Sequence, residues 1–209
     1  MKHLVLIGDI VESRSLSDRG AAQVQFGNSC QRLNQQRKHY NIVSPLMVTL
    51  GDEFQAVFKS AIQLWALIVR FELDMYPVEF RFSIGLGEIT TKLNNRSSLG
   101  MDGPAFYNAR AGIEQLRTDG GHYRVTGFNS QQRLICHALD LWSAARSKWN
   151  YNRLATFARL LEGASVPEIA KELKVSEQAV YRTRRDGQLD TVIGLLTAIS
   201  SHIDEELHG

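Results

Sequence analysis

The sequence predicts an α+β fold, an antiparallel sheet with helices on one face, followed by an all-helical segment. Two observations lead there. Up to residue 126 the patterned stretches run strand, helix, two turn-linked strands, helix, strand, helix, strand. They lack the strict alternation and the glycine-rich first turn of a dinucleotide-binding fold. From residue 130 onward every patterned stretch is helical. This break divides the chain into a domain of residues 1–128 and a helical domain of residues 129–209.

Residues 4–7 are a continuous apolar run, which suits a strand buried on both faces. Gly8, Asp9 and Ile10 lead out of it. Ser15 or Ser17 stands where a cap belongs for a helix beginning near Asp18, with Ala21, Val24, Phe26, Cys30 and Leu33 inward. Residues 42–50 read as a strand interrupted at Ser44-Pro45. The Gly51-Asp52 turn then opens a half-buried strand, with Phe54, Ala56 and Phe58 alternating with Gln55 and Val57. A helix over residues 60–74 turns Ile62, Trp65, Ile68, Val69 and Leu73 inward and stops at Tyr76-Pro77.

Residues 78–89 form the longest strand, with Phe80, Phe82, Ile84 and Leu86 on one face. On its other face Gly85 and Gly87 leave bare backbone, which lets a ligand or another segment approach closely. A polar loop, a helix over 104–118, a glycine turn and a short strand over 122–126 complete the first domain. Helices over 131–148 and 152–162 follow, and Trp142 and Trp149 are candidates to pack back on the sheet domain. The amphipathic stretch 190–207 reads as a dimer or core-docking helix.

Composition narrows the function. A formal net charge of +2 is too small to identify a polyanionic partner, so any nucleic-acid role rests on a local patch. Two distant cysteines and scattered histidines support neither a disulfide framework nor a zinc site. No leader pattern and no apolar run of ~20 residues is present, so a cytoplasmic protein without membrane partners is expected.

Asp9 ends one strand and Asp52 sits in a turn between two others. If the first strand lies beside the hairpin, the two carboxylates meet, as a two-metal nucleotidyl-transfer site requires. Taken alone, Asp52 reads as a turn residue ahead of a metal ligand.

Four segments in order resemble nucleotide cyclases. Residues 4–19 resemble the first strand and loop of the class III enzymes, and residues 48–58 their second motif. Gly51-Asp52-Glu53-Phe54 also resembles the G-G-D-E-F hairpin of diguanylate cyclases. Arg81-Phe82-Ser83-Ile84-Gly85 resembles their shared R-x-x-I-G strand, and residues 103–115 sit where G-x-x-V-N-x-x-x-R occurs. The closer resemblance, over essentially the whole chain, is to the SatD-type family. Gly8-Asp9-Ile10-Val11, Ser13-Arg14, Gly51-Asp52-Glu53-Phe54-Gln55 and Asp102-Gly103-Pro104-Ala105-Phe106 carry it, with a C-terminal helix-turn-helix.

The resemblance implies a ferredoxin-like, palm-type cyclase domain that takes a nucleoside triphosphate and Mg²⁺ or Mn²⁺. It implies Asp9 and Asp52 as metal ligands, Glu53 and Arg110 as further catalytic groups, and Ile10, Ser13, Arg14 and Asn108 as nucleotide contacts. The chain departs from the cyclase pattern at Glu12, at Val48 in place of a base-reading lysine, and at Leu50 in place of a glycine. Gly112 stands where the transition-state arginine is expected, with Arg110 displaced by two. Loss of that arginine weakens turnover before binding.

Residues 165–186 read as a helix-turn-helix. Ser165 and Glu168 form a capping box, Ile169, Ala170 and Leu173 face inward, and Ser176 caps a second helix that buries Val180. Lys174 takes the glycine place in the turn, at a cost of about 1 kcal/mol. Gln178, Tyr181, Arg182, Arg184 and Arg185 are the candidate contacts to double-stranded DNA, Gln178 and Arg182 at base edges and Arg184 and Arg185 at phosphates. The 10 Lys/Arg and 10 Asp/Glu of residues 130–209 balance, so a packing module is the alternative. A homodimer suits two half-sites.

The leading expectation is a DNA-binding regulator whose cyclase-like domain binds a nucleotide and a divalent metal. An active nucleotidyl cyclase, and a degenerate palm serving as a dimer scaffold, are the alternatives.

Overall fold

The computed structural model describes residues 1–13, 16, 18–49 and 51–209. Among these residues five strands and eight helices follow one another as β1 (Lys2–Ile10), α1 (Arg19–Gln35), β2 (Ile42–Val48), β3 (Glu53–Phe58), α2 (Leu64–Met75), β4 (Phe80–Glu88), α3 (Pro104–Asp119), β5 (Tyr123–Thr126), α4 (Gln132–Arg146), α5 (Tyr151–Leu161), α6 (Val166–Leu173), α7 (Glu177–Asp186) and α8 (Leu189–His208). The sheet order is β2-β3-β1-β4-β5. Strand β1 is central, antiparallel to β3 and β4, whereas β5 joins β4 in parallel. This last pairing departs from an all-antiparallel sheet, because α3 carries the chain back across the sheet before β5 begins.

Helices cover both faces of the sheet, where one covered face was expected. Along β1, Leu4 and Leu6 point into a cluster built with α1, α2, α4, α5 and α8. Val5 and Ile7 point the other way, onto Val57 and onto Ala105, Phe106, Ala109 and Ile113 of α3. All four β1 side chains are at most 1% exposed. Strand β3, expected to be half-buried, is therefore covered on both faces as well.

The glycines of β4 make room for α3. A Cβ on Gly87 would lie 2.6 Å from the Ala105 nitrogen, and one on Gly85 would lie 2.9 Å from Ala109 Cα. Both are backbone atoms of α3 that cannot yield. The bare strip on β4 is thus the seat of a helix.

Several local expectations shift. Ser15 and Ser17 lie outside the described residues, and Asp18 itself caps α1, accepting the Ala21 N–H at 2.9 Å. Helix α1 buries Ala22, Phe26, Cys30 and Leu33, while Ala21 is exposed and Val24 is 66% exposed. Ile62 precedes α2 and is exposed. Strand β2 runs through Ser44-Pro45 unbroken and absorbs the proline in register shifts.

The C-terminal helices share the core of the sheet. Trp142 stacks on Tyr123 with ring centroids 4.0 Å apart, and Trp149 packs on Phe157. Of the two roles foreseen for the tail, core docking is the one observed within the chain. Leu196, Ile199, Ile203 and Leu207 of α8 enter the main cluster. Asp204 accepts bonds from Ser60 Oγ (2.7 Å) and the Ala61 N–H (2.6 Å) just ahead of α2. Helices α6 and α7 form a satellite core of Val166, Ile169, Ala170 and Val180. The capping box at Ser165 and Glu168 is present, and Lys174 adopts the left-handed conformation at φ 54°.

Candidate functional site

The site is built where β1 ends and β3 and β4 begin. Strand register sets Asp9 opposite Glu53 on one side and Arg81 on the other. The Ile10 N–H donates to the Asp52 carbonyl at 2.9 Å, which ties the β2–β3 turn to the end of β1. Ser13 Oγ donates to Asp52 Oδ2 at 2.6 Å and closes the loop over the turn. Asp9 and Asp52 thereby line one open cleft of about 470 Å³, together with Ile10, Glu12, Ser13, Arg81 and Arg117.

Helix α3 supplies two arginines to this end of the sheet. Arg110 and Arg117 are seven residues apart, two turns along one side of the helix. Arg117 meets both oxygens of Asp9, Nη2 to Oδ1 at 3.0 Å and Nε to Oδ2 at 3.3 Å. Arg81 Nη1 stands 3.6 Å from the same carboxylate. Arg110 holds Glu53 through two nitrogens, with Nη2 to Oε1 at 2.7 Å, and Thr49 Oγ1 donates to Oε1 at 2.9 Å. Asp9 is 4% exposed and Glu53 1%. Charges so enclosed are tolerated because guanidinium donors answer them.

Burial pushes the Asp9 carboxyl above the usual aspartate range, opposed by its bonds and charge contact with Arg117. The Asp9 carboxylate in turn raises the Arg117 pKa, as Glu53 raises that of Arg110. Cation and carboxylate are matched group by group.

The structure brings Asp9, Ile10, Ser13 and Asp52 together, although the Ile10 side chain belongs to the core. Glu53 and Arg110 stand beside the cleft as a closed pair. Arg14 lies outside the described residues. Asn108 is not brought to the site. Its amide donates to the Leu86 carbonyl at 2.8 Å, and Leu86 is five strand positions from Arg81, roughly 17 Å away. Gly112 faces the sheet, where a Cβ would lie 3.1 Å from Ser83 Cβ. A side chain at 112 therefore cannot reach the cleft.

Sequence reasoning missed Arg117 and the role of Arg81. The seven-residue spacing from Arg110 is the signal that finds the first. The second needs the strand register.

On α7, Gln178, Tyr181 and Arg182 are exposed. Arg184 Nε is bonded to both oxygens of Asp190 at 2.8 and 2.9 Å, and Arg185 Nε to Asp186 at 3.0 Å. A larger cleft of about 980 Å³ separates α1 and α2 from α5 and α6. Its charges neutralise one another, as in Arg32–Asp74 at 2.9 Å and Arg159–Glu172 at 2.9 Å. The site is assigned by chemistry rather than by volume.

The sequence matches the SatD family over residues 3–184, nearly its full length. The chain belongs to the SatD family. A search of curated proteins finds no match. Among solved structures, a bacterial light-regulated adenylyl cyclase is similar to this SatD-family chain at 17% identity and a TM-score of 0.43, covering 61% of this chain and 43% of that one. A second structure described in nearly the same words gives 17% identity and a TM-score of 0.36, covering 60% and 42%. The chain thus spans less than half the length of either. Likenesses of this size carry no functional weight, and the fold description stands on strand order and register.

The donor types of the SatD-family cleft fit a hard divalent cation. Mg²⁺ takes one or two carboxylates and leaves its other positions to water and phosphate. Asp9 and Asp52 are two such carboxylates on one cleft. Among the described residues no group of three or more His, Cys, Asp or Glu could hold a metal by protein ligands alone. Among the same residues no helix is long and apolar enough to cross a membrane.

Proposed function

We propose that the cleft binds a nucleoside polyphosphate with Mg²⁺ or Mn²⁺, and that this SatD-family protein is a cytoplasmic regulator contacting double-stranded DNA through α7. The observation that carries the first part is the juxtaposition in one cleft of two strand-end carboxylates, Asp9 and Asp52, with two guanidinium groups, Arg81 and Arg117. The carboxylates suit the cation, the guanidinium groups suit phosphate oxygens, and Ser13 offers a hydroxyl between them. Asp9 and Asp52 would hold such a cation, which would neutralise phosphate charge. Ile10 and Asp52 hold the strand end and the turn at fixed spacing through their backbone bond.

Binding without rapid turnover is the form of this reading that the geometry favours. Arg110 is committed to Glu53, and Gly112 is turned into the sheet. The helix therefore offers no cation to the leaving phosphate at the position where cyclases carry one.

Support for the DNA contact is the exposed row of Gln178, Tyr181 and Arg182 on a helix capped by Ser176. A homodimer would present two such helices to two half-sites.

The test is equilibrium binding of labelled ATP and GTP, with Mg²⁺ or Mn²⁺, to the wild type and to Asp52→Ala. Metal-dependent binding that drops at least tenfold in Asp52→Ala is expected. Absence of metal-dependent binding in both proteins removes the reading.

A further inference from the structure

We propose that Arg117 is a tethered counter-ion, which holds the place on Asp9 that a divalent cation would take and gives it up for the phosphates of an incoming nucleotide. The inference rests on the reading of the cleft as a nucleotide and cation site, and it adds how that site is regulated.

The first ground is the state of Asp9. It is the most enclosed acid lining the cleft, at 4% exposed, and each of its oxygens faces one nitrogen of Arg117, at 3.0 and 3.3 Å. A carboxylate so enclosed keeps a cationic partner or loses its charge. Arg81, at 3.6 Å, is within salt-bridge range but makes no hydrogen bond to it. A second cation on Asp9 therefore competes with the Arg117 contact.

The second ground is how little else among the described residues holds Arg117. Its side chain is 42% exposed, and its remaining partner is Glu114, itself 59% exposed, at 2.9 Å on the same helix. Bonds of that kind contribute little, so leaving them costs little. The neighbouring pair shows the contrast. Arg110 is as exposed as Arg117, at 42%, but its partner Glu53 is held also by Thr49 and does not line the cleft. Two arginines of one helix thus do different things: Arg110 is a fixed structural partner, and Arg117 is a partner that can leave.

The third ground is charge. The cleft is lined by three carboxylates, Asp9, Glu12 and Asp52, and by two guanidinium groups, Arg81 and Arg117. A polyphosphate arriving alone meets the carboxylates, and a divalent cation arriving alone meets Arg117. When both arrive, Arg117 passes from Asp9 to phosphate oxygens and every charge keeps an opposite partner. The two ligands therefore bind cooperatively, and linkage makes the coupling equal in both directions.

The experiment is calorimetric titration of wild type, Arg117→Ala and Arg117→Lys with Mn²⁺ alone, with a non-hydrolysable ATP analogue in chelator, and with both. In the wild type each ligand is expected to raise the affinity of the other at least tenfold. Arg117→Ala is expected to bind Mn²⁺ alone at least tenfold more tightly than wild type and to lose most of the coupling. Arg117→Lys, which keeps the charge, retains part of it.

Equal or weaker Mn²⁺ binding by Arg117→Ala, with metal-dependent nucleotide binding intact and abolished by Asp52→Ala, overturns the counter-ion role and leaves the site standing. No binding of either ligand in any combination to the wild type overturns both. Should Arg117→Ala fail to fold by circular dichroism, the wild type decides. The ¹⁵N Nε–H resonance of Arg117, assigned by its disappearance in Arg117→Lys, is expected to shift when Mg²⁺ and the analogue are added together. A resonance that stays fixed while calorimetry records binding overturns the proposal.

Discussion

Gly85 and Gly112 show how single positions set what this chain can do. A methyl group on Gly85 would press on backbone atoms of α3 that belong to a regular helix. Gly85→Ala is expected to lower unfolding free energy by about 3 kcal/mol, read from urea melts. A loss below about 0.5 kcal/mol would mean that α3 does not seat there. Gly112, where the cyclase resemblance places an arginine, leaves no room for one, because the position packs on Ser83 and Thr126. Gly112→Arg is expected to yield insoluble or unfolded protein rather than gained turnover, checked by circular dichroism of the soluble fraction. Cys30 carries a smaller lesson. Burial pushes its thiol up to about 12, so it is expected to resist iodoacetamide at neutral pH until denaturant is added, checked by mass spectrometry.

At the scale of elements, α8 closes the chain onto its own beginning. Asp204 serves the backbone at Ala61, Ser200 Oγ donates to the Ala61 carbonyl, and Lys2 Nζ donates to the Glu206 carbonyl. Asp204→Ala strands a buried N–H and is expected to cost about 2 kcal/mol, measured as a fall in thermal midpoint. Helix α7 invites a comparison within itself. If it contacts DNA, Arg182→Ala should weaken binding and relax specificity at the base it reads, in an association that weakens steeply with salt. Arg184→Ala should change it less, because Asp190 already engages that guanidinium. Equal effects, or salt-insensitive association, count against the proposed DNA face.

For the whole molecule, the join between sheet and C-terminal helices contains an enclosed charge. Glu72 of α2 accepts a bond from Tyr123 at 2.6 Å and lies 3.5 Å from Arg146 of α4. Burial raises its pKa, and the Arg146 charge and the Tyr123 bond only partly oppose this. The native state therefore holds the proton more tightly than the unfolded chain does. This group's contribution is full at low pH. It falls as pH rises from the ordinary glutamate value of about 4.3 through the raised native one. The stability of wild type relative to Glu72→Gln is expected to decline as pH rises above the ordinary glutamate value of about 4.3, measured by urea unfolding. A relative stability that rises with pH would make Glu72 an ionised partner of Arg146 throughout.

The sequence by itself determined the order of elements, the two-sided burial of residues 4–7, and the places of Asp9 at a strand end and Asp52 in a turn, though not that the two meet. Each is written in neighbouring residues: an unbroken apolar run, a glycine turn, a strand end. The two covered faces of the sheet were only half legible. Gly85 and Gly87 marked a close approach, but which segment makes it depends on where α3 crosses, seventeen or more residues further on. The arginine lock on the carboxylates was legible only as the seven-residue spacing of Arg110 and Arg117, not as a pairing. Arg117 lies 108 residues from Asp9, and nothing local to either residue names the other. Only the tertiary structure brings them together, because strand register places the carboxylate at the sheet's end and the two-turn spacing of Arg110 and Arg117 on α3 delivers the cation to it.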